Sequence, residues 1–341
     1  MTNAAGRPSR FLTLLLGLAV VSAASCESCA TSARGGGGGD STGGSSSWLV
    51  GAAGLMLAAA ADGPVGRYPL ALTSDLRAIA CWGKTRAWVA GDEGVLLTTK
   101  DAGATWQAVD AGVRTRLHAI AIAEKGIGFV GGDAGVLRVT TDNGATWSAI
   151  GGAPANATWT SIAARHDGAV ALATTAAGDI YGYDRAANRL ILLAAAPAGP
   201  LTSVALSHDG NTAVAVGDAG AMLLSTDGGR TWRDRPSGTT HALNDVWLAG
   251  PEGDTVIAVG AGGVLVMGPT TAMDGASPRL LGEGRTLRGV HLEDSGHGTI
   301  VGDNGTILMT DDFGLSWSPR PSGDARDIFA VDALGEDHAH F

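Results

Sequence analysis

The sequence predicts an all-β fold, a seven-bladed β-propeller of short four-stranded blades, on three observations. A small-residue tetrapeptide interrupts two short apolar runs seven times, beginning at Gly51, Gly91, Gly132, Thr175, Gly217, Gly260 and Gly302, at steps of 40 to 43 residues. A second ladder of short strands starts at Leu76, Leu117, Trp159, Leu201, Leu243, Leu287 and Ala325, reading LRAIA in the first copy and ARDIF in the last. Four further turns of the form [ST]-x-D-x-G-x-[ST]-W stand in phase with both ladders. A period near 40 residues with several strands per unit marks a propeller.

Each tetrapeptide reads as a β-hairpin, VAGDEGVLL for example, with glycine and aspartate where a tight turn needs positive φ. The hairpin supplies strands B and C of a blade, the LRAIA element is strand A, and strand D follows the next turn. The ladders are offset. The hairpin at Gly51 has no A strand before it, and the A strand around Ile328 has no hairpin after it. One blade is therefore expected to be composite, with strand A from the C-terminal end and strands B to D from residues 47–73, a closure that removes free sheet edges. The stretch from Trp48 to Ala61, WLVGAAGLMLAAAA, passes for a buried helix by itself, but its 40-residue step to the next hairpin assigns it to strands.

Seven equal units in 341 residues argue for one closed domain over residues 48–341. A net charge of −10 disfavours non-specific nucleic-acid binding, which needs a basic footprint. Residues 1–25 read as an export leader: Arg7 and Arg10 precede an apolar run from Phe11 to Val21, followed by small residues up to Cys26. The run is too short to span a bilayer. Its end resembles a bacterial lipobox, with Ala23 where leucine is usual, which makes Cys26 the expected lipidation site. Ordinary cleavage without lipid is the alternative. Residues 26–47 include GGGGGDSTGGSSS and are expected to tether the domain to a membrane surface in the cell envelope, in the outer membrane or periplasm. Cys29 and Cys81 are free to pair after export, but three cysteines make no disulfide framework. The domain is expected to be a monomer.

The four phased turns are TKDAGATW, TTDNGATW, STDGGRTW and TDDFGLSW, ending at Trp106, Trp147, Trp232 and Trp317. They resemble the Asp-box, or BNR repeat. Asp101, Asp142, Asp227 and Asp312 read as structural: each carboxylate accepts N–H bonds across its own turn, glycine takes the positive φ, and tryptophan packs between sheets. The units with YGYDRAANR and MGPTTAMDGASP at this place are degenerate. Asp-box propellers include sialidases, so a sialidase-like glycosyl hydrolase or a glycan-binding lectin is the alternative function. That resemblance would require an arginine cluster, a nucleophilic tyrosine and an acid/base pair. The chain has only Tyr68, Tyr181 and Tyr183, none beside a glutamate in a suitable loop. No phosphate loop, nucleophile elbow, zinc signature or dinucleotide fingerprint appears, and no catalytic, cofactor or metal residue is assigned. His338 and His340 have a metal-like spacing without a third ligand.

The runs VGDAGAMLLSTDGGRTW and VGDNGTILMTDDFGLSW resemble the photosystem II stability and assembly factor family more closely. That resemblance covers residues 48–341. It implies a non-enzymatic module that binds another protein, a membrane-complex subunit or an acidic or C-terminal peptide, on the face opposite the Asp-boxes. The second residues of the A strands are expected to ring the channel there: Arg77, His118, Thr160, Thr202, Asn244, Arg288 and Arg326. Arg288, Arg326, Arg77 and His118 then form a basic arc on four consecutive blades, joined by Arg114, Arg116 and Arg285 in neighbouring connections. The arginine fork suits bidentate recognition of a carboxylate. Pairing with the hairpin residues Asp92, Asp133, Asp218 and Asp303 is the other use for these side chains, and the sequence leaves both open.

Overall fold

The computed structural model describes residues 46–60, 63–250, 252–271 and 278–334. The leader, most of the tether, Cys26, Cys29, His338 and His340 lie outside the described residues. Seven four-stranded antiparallel sheets account for the strands. Their inner strands are Leu76–Trp82, Leu117–Ile122, Trp159–Ala164, Leu201–Leu206, Leu243–Ala249, Leu287–Leu292 and Ile328–Leu334, which we take as blades 1 to 7. Each inner strand packs on the next, and that of blade 7 packs on that of blade 1, so the ring is closed.

Closure occurs in the composite blade expected from the offset ladders. Ile328–Leu334 pairs with Ser46–Gly51, which pairs with Met56–Ala60 and then Val65–Arg67. The apolar stretch after Trp48 is thus two strands, because both of its faces are covered by neighbouring blades. The B strands read as continuous apolar runs for the same reason: Val89, Val130, Val216, Val259 and Val301 are wholly buried. Trp48, Val50 and Met56 of blade 7 share one core cluster with Leu76, Ile79 and Val89 of blade 1. Burying each such side chain stabilises the fold by about 1.5–3 kcal/mol, so the blade-to-blade seams carry most of the packing energy.

The hairpins differ in one respect from the sequence expectation. The opening glycine is extended (Gly91, φ −164°), and the positive φ falls on the third and fourth residues (Glu93, 60°; Gly94, 74°). Gly91 is required for close approach instead, because a Cβ there would lie 2.2 Å from the Asp75 carbonyl oxygen.

The four Asp-boxes share one geometry. In blade 2 the Asp142 carboxylate accepts from the Thr146 amide (2.8 Å), the Thr146 hydroxyl (2.6 Å) and the Thr140 hydroxyl (2.8 Å). Asp101, Asp227 and Asp312 repeat this set. The residue after each aspartate donates its N–H to the turn between strands A and B of the same blade, as Asn143 does to Gly126 (2.9 Å). These two sets of turns therefore share one face of the disc, while the hairpins and the connections between blades share the other. The tryptophans bridge blades: Trp106 meets Trp48 edge-on at 5.8 Å and Trp147 meets Trp88 at 5.4 Å.

Hydrogen bonds from the threonine or serine at the end of the box hold Asp142, Asp227 and Asp312 ionised down to about pH 2. A folded-state pKa below the unfolded value near 3.9 contributes stability that is present above about pH 4 and lost as the pH falls towards 2. Changing all three to asparagine is expected to lower the melting temperature at pH 7, and the difference from wild type is expected to close between pH 4 and 2. Calorimetric melts across that range check this, and a difference independent of pH would contradict it.

Candidate functional site

The central channel opens between the inner strands as a cavity of about 930 Å³. Its mouth on the hairpin face is built by one device used seven times. The first residue of each inner strand is buried opposite the last residue of strand B, as Leu76 opposite Gly91 and Ile328 opposite Gly51. The next residue is skipped in the pairing, a β-bulge that turns its side chain out of the blade. The skipped residues are Arg77, His118, Thr160, Thr202, Asn244, Arg288 and Phe329, and all seven line the cavity.

Six of these match the sequence expectation and the seventh corrects it. The inner strand of blade 7 begins at Ile328, not Ala325, because the position facing the hairpin glycine must be apolar and buried. Arg326 consequently lies before the strand, away from the cavity lining. Its guanidinium is fastened to both Asp324 oxygens (3.0 and 2.6 Å) and to the Ala53 carbonyl (2.9 Å), joining the last connection to the blade 7 hairpin.

Phe329 stands beside two guanidinium groups. The Cζ atoms of Arg77 and Arg288 lie 5.5 and 5.4 Å from its ring centroid, within cation–π range. Arg77 also bonds Asp92 through Nε and Nη2 (the latter 3.0 Å) and reaches Asp75 at 3.2 Å. Its hydrogen bond to Asp92 raises the Arg77 pKa and lowers that of Asp92. Arg288 uses Nε on Asp303. His118 Nε2 lies 2.9 Å from Asp133. Arg116 approaches Asp92 at 3.8 Å, whereas Arg114 turns to Asp110 (2.9 Å) and Arg285 to Glu283 (3.7 Å). The pairing anticipated for these side chains is thus formed at Asp92, Asp133 and Asp303. Blade 4 departs from it, because its ring residue is Thr202, which bonds the Leu243 carbonyl (2.5 Å) and leaves Asp218 without a basic neighbour in the ring.

Two consequences follow for chemistry at the mouth. The arc is not a net basic patch, since Asp75, Asp92 and Asp303 balance Arg77, Arg116 and Arg288. Pairing nevertheless leaves donors in place. Among the described residues, both terminal nitrogens of Arg288 and Nη1 of Arg77 make no hydrogen bond, and both guanidinium groups lie over the Phe329 ring. Preorganised N–H groups beside an aromatic ring fit a planar anion such as a carboxylate. The other half of the ring spends its polarity internally, Thr160 on Thr174 (3.0 Å) and Asn244 on the Leu287 carbonyl (2.7 Å).

Below the mouth the channel wall carries groups that the sequence reading did not single out. Asp245 accepts from Ser203 (2.8 Å) on blade 4 and from the Val290 amide (3.0 Å) on blade 6, and burial pushes its carboxyl up to about 6. Asp332 accepts from the Cys81 amide (2.7 Å) on blade 1 and lies 3.0 Å from His291 Nδ1 on blade 6. They staple neighbouring inner strands where apolar side chains alone would leave amides unpaired. Their signal was a polar residue within an apolar inner strand, as in LNDVWLA and IFAVDAL. Cys81 is a half-buried inner-strand residue that forms no disulfide among the described residues.

The Asp-box aspartates lie on the opposite face and none lines the cavity. The three tyrosines are also outside the lining: Tyr68 packs on Trp48, Tyr181 on Trp159 and Tyr183 on Phe129. A family model described as the photosynthesis system II assembly factor YCF48 matches residues 57–214, a little under half of the chain. Among solved structures the fold is similar to one titled "YCF48 bound to D1 peptide", at 16% identity and a TM-score of 0.63, covering 78% of this chain and 89% of that one. It is also similar to YCF48 from Cyanidioschyzon merolae, at 18% identity and a TM-score of 0.59, covering 76% and 88%. No curated protein sequence matches the chain.

Proposed function

We infer that this photosystem II assembly factor-like propeller is a non-enzymatic protein-binding module of assembly, and that it takes a carboxylate-bearing peptide segment at the channel mouth. The observation that carries the reading is the Arg77–Phe329–Arg288 cluster, in which terminal guanidinium N–H groups of both arginines make no hydrogen bond among the described residues. A similar propeller is titled as bound to a peptide, which favours a peptide over a glycan as the ligand class. The bulges hold these three side chains on rigid inner strands, so little ordering entropy is lost on binding. The leader and Cys26 suit an exported chain held at a membrane of the cell envelope, with a membrane-complex subunit as partner.

Affinity capture from native membranes with the full chain tests this. The expected result is co-purification of a membrane-complex subunit, one segment of which binds as an isolated peptide. Amidating the carboxylates of that peptide is expected to weaken binding by about 10- to 100-fold, the worth of hydrogen bonds to a charged group. Glycan binding or turnover in place of peptide binding would overturn the reading, as would equal affinity for the amidated peptide.

A further inference from the structure

The Asp-box turn of blade 6 differs from its three counterparts in what it shows to solvent. Where the other boxes place Ala102, Asn143 and Gly228 after the aspartate, this one places Phe313, and it has Leu315 where the blade 2 box has Ala145. Phe313 is 55% exposed and Leu315 69% exposed. Phe313 also has φ +59°, a left-handed conformation that is strained for a bulky side chain and is usual for glycine or asparagine. One edge of its ring lies against Gly296 in the turn between strands A and B, where a Cβ would meet it at 2.8 Å, and the rest faces solvent. Among the described residues, the other exposed large apolar side chains, Ile191, Leu192 and Leu280, belong to outer strands, not to this face.

The place where strand Ser46–Gly51 starts bears on what covers this surface. Strand Ser46–Gly51 begins at the Asp-box end of blade 7, with Ser46 paired to Ala60 and Leu334. Ser46, the residue that follows segment 1–45 with its apolar run Phe11–Val21 and Cys26, therefore stands on the Asp-box face, one blade from Phe313. Arg320 of blade 6 reaches the Gly63 carbonyl of blade 7 (2.8 Å), which fixes the two blades together. A flexible Gly/Ser-rich chain of the length between Cys26 and Ser46 has a root-mean-square reach of about 25 Å, so an anchor at Cys26 would lie close to this face.

We propose that the Asp-box face is a lipid-facing surface, with Phe313 and Leu315 entering the interfacial layer of a zwitterionic bilayer and the channel mouth directed away from it. Phenylalanine and leucine are the side chains that partition there. The net charge of −10 disfavours an anionic bilayer as the partner. The inference rests on residues 1–45 holding the chain at a membrane, but not on which ligand the channel mouth takes.

Hydrogen exchange of the full chain with and without phosphatidylcholine vesicles tests the proposal. The amides of residues 311–316 are expected to slow several-fold with vesicles, while the hairpins at 92–94 and 303–305 stay unchanged. The double variant Phe313→Asn, Leu315→Ala rebuilds the turn sequence of blade 2, so it is expected to fold with an unchanged or higher melting temperature and to lose the slowing. Slowing at the hairpins, no slowing in wild type, or equal slowing in the double variant would each overturn the proposal. Peptide affinity at the channel mouth is expected to be the same in both chains, so the two readings fail separately.

Discussion

Deleting residues 328–341 is expected to abolish cooperative unfolding of the whole domain, not of one blade. The segment Ile328–Leu334 is the inner strand of blade 7, and its removal strips the Ser46–Gly51 strand of its inner partner. Ile328, Val331, Ala333 and Leu334 are buried, and at about 1.5–3 kcal/mol for each large apolar side chain the loss approaches the roughly 5–15 kcal/mol by which a domain is stable. The damage also spreads, because Asp332 receives the Cys81 amide of blade 1 and faces His291 of blade 6. An opened ring exposes inner-strand edges to aggregation. Circular dichroism and calorimetry read the outcome. A synthetic peptide of residues 325–341 added to the shortened chain is expected to restore the transition. A sharp transition in the shortened chain without peptide would show that blade 7 is dispensable for closure. Ile328→Ala, a milder change, is expected to cost about 2–5 kcal/mol.

The architecture was legible because it is repetitive. Seven hairpins at a fixed step outvoted local propensity at Trp48–Ala61, and the offset of the two ladders announced the composite blade. What failed was register in the one unit whose inner strand departs from the pattern. ARDIF matches LRAIA by its arginine in second place, so Arg326 looked like the counterpart of Arg77. The fold selects instead on a buried apolar residue facing the hairpin glycine, followed by a bulge, and that criterion picks Ile328 and Phe329. Ion pairing was visible as a possibility in Asp92, Asp133 and Asp303, yet the sequence gives no distances and so no way to see which nitrogens stay free. The role of the opening hairpin glycine was misread for a similar reason: close approach to Asp75 is a tertiary fact, whereas positive φ is a local one.

That corrected register separates two arginines that look alike in sequence, and the second large effect follows from it. Arg288→Ala is expected to weaken binding of the captured peptide by about 10- to 100-fold, since it removes the free fork that lies over Phe329. Stability should change little, because the Arg288–Asp303 pair is partly solvated (36% and 24% exposed) and such pairs contribute about 0–1 kcal/mol. Arg288→Lys keeps the charge but loses the planar fork, and is expected to recover only a small part of the affinity. Phe329→Ala removes the ring beside the two guanidinium groups and should lower affinity with Arg77 and Arg288 both present. Arg326→Ala is the contrast. It detaches Asp324 from the Ala53 carbonyl, so it should lower the melting temperature and leave peptide affinity unchanged. Peptide titrations and melts on the same four variants check the set. If Arg326→Ala weakens binding as much as Arg288→Ala, the ligand sits over the outer connections and not on the ring. If Arg288→Ala lowers only the melting temperature, the arginines of the mouth are structural, and the channel mouth is not where the partner binds.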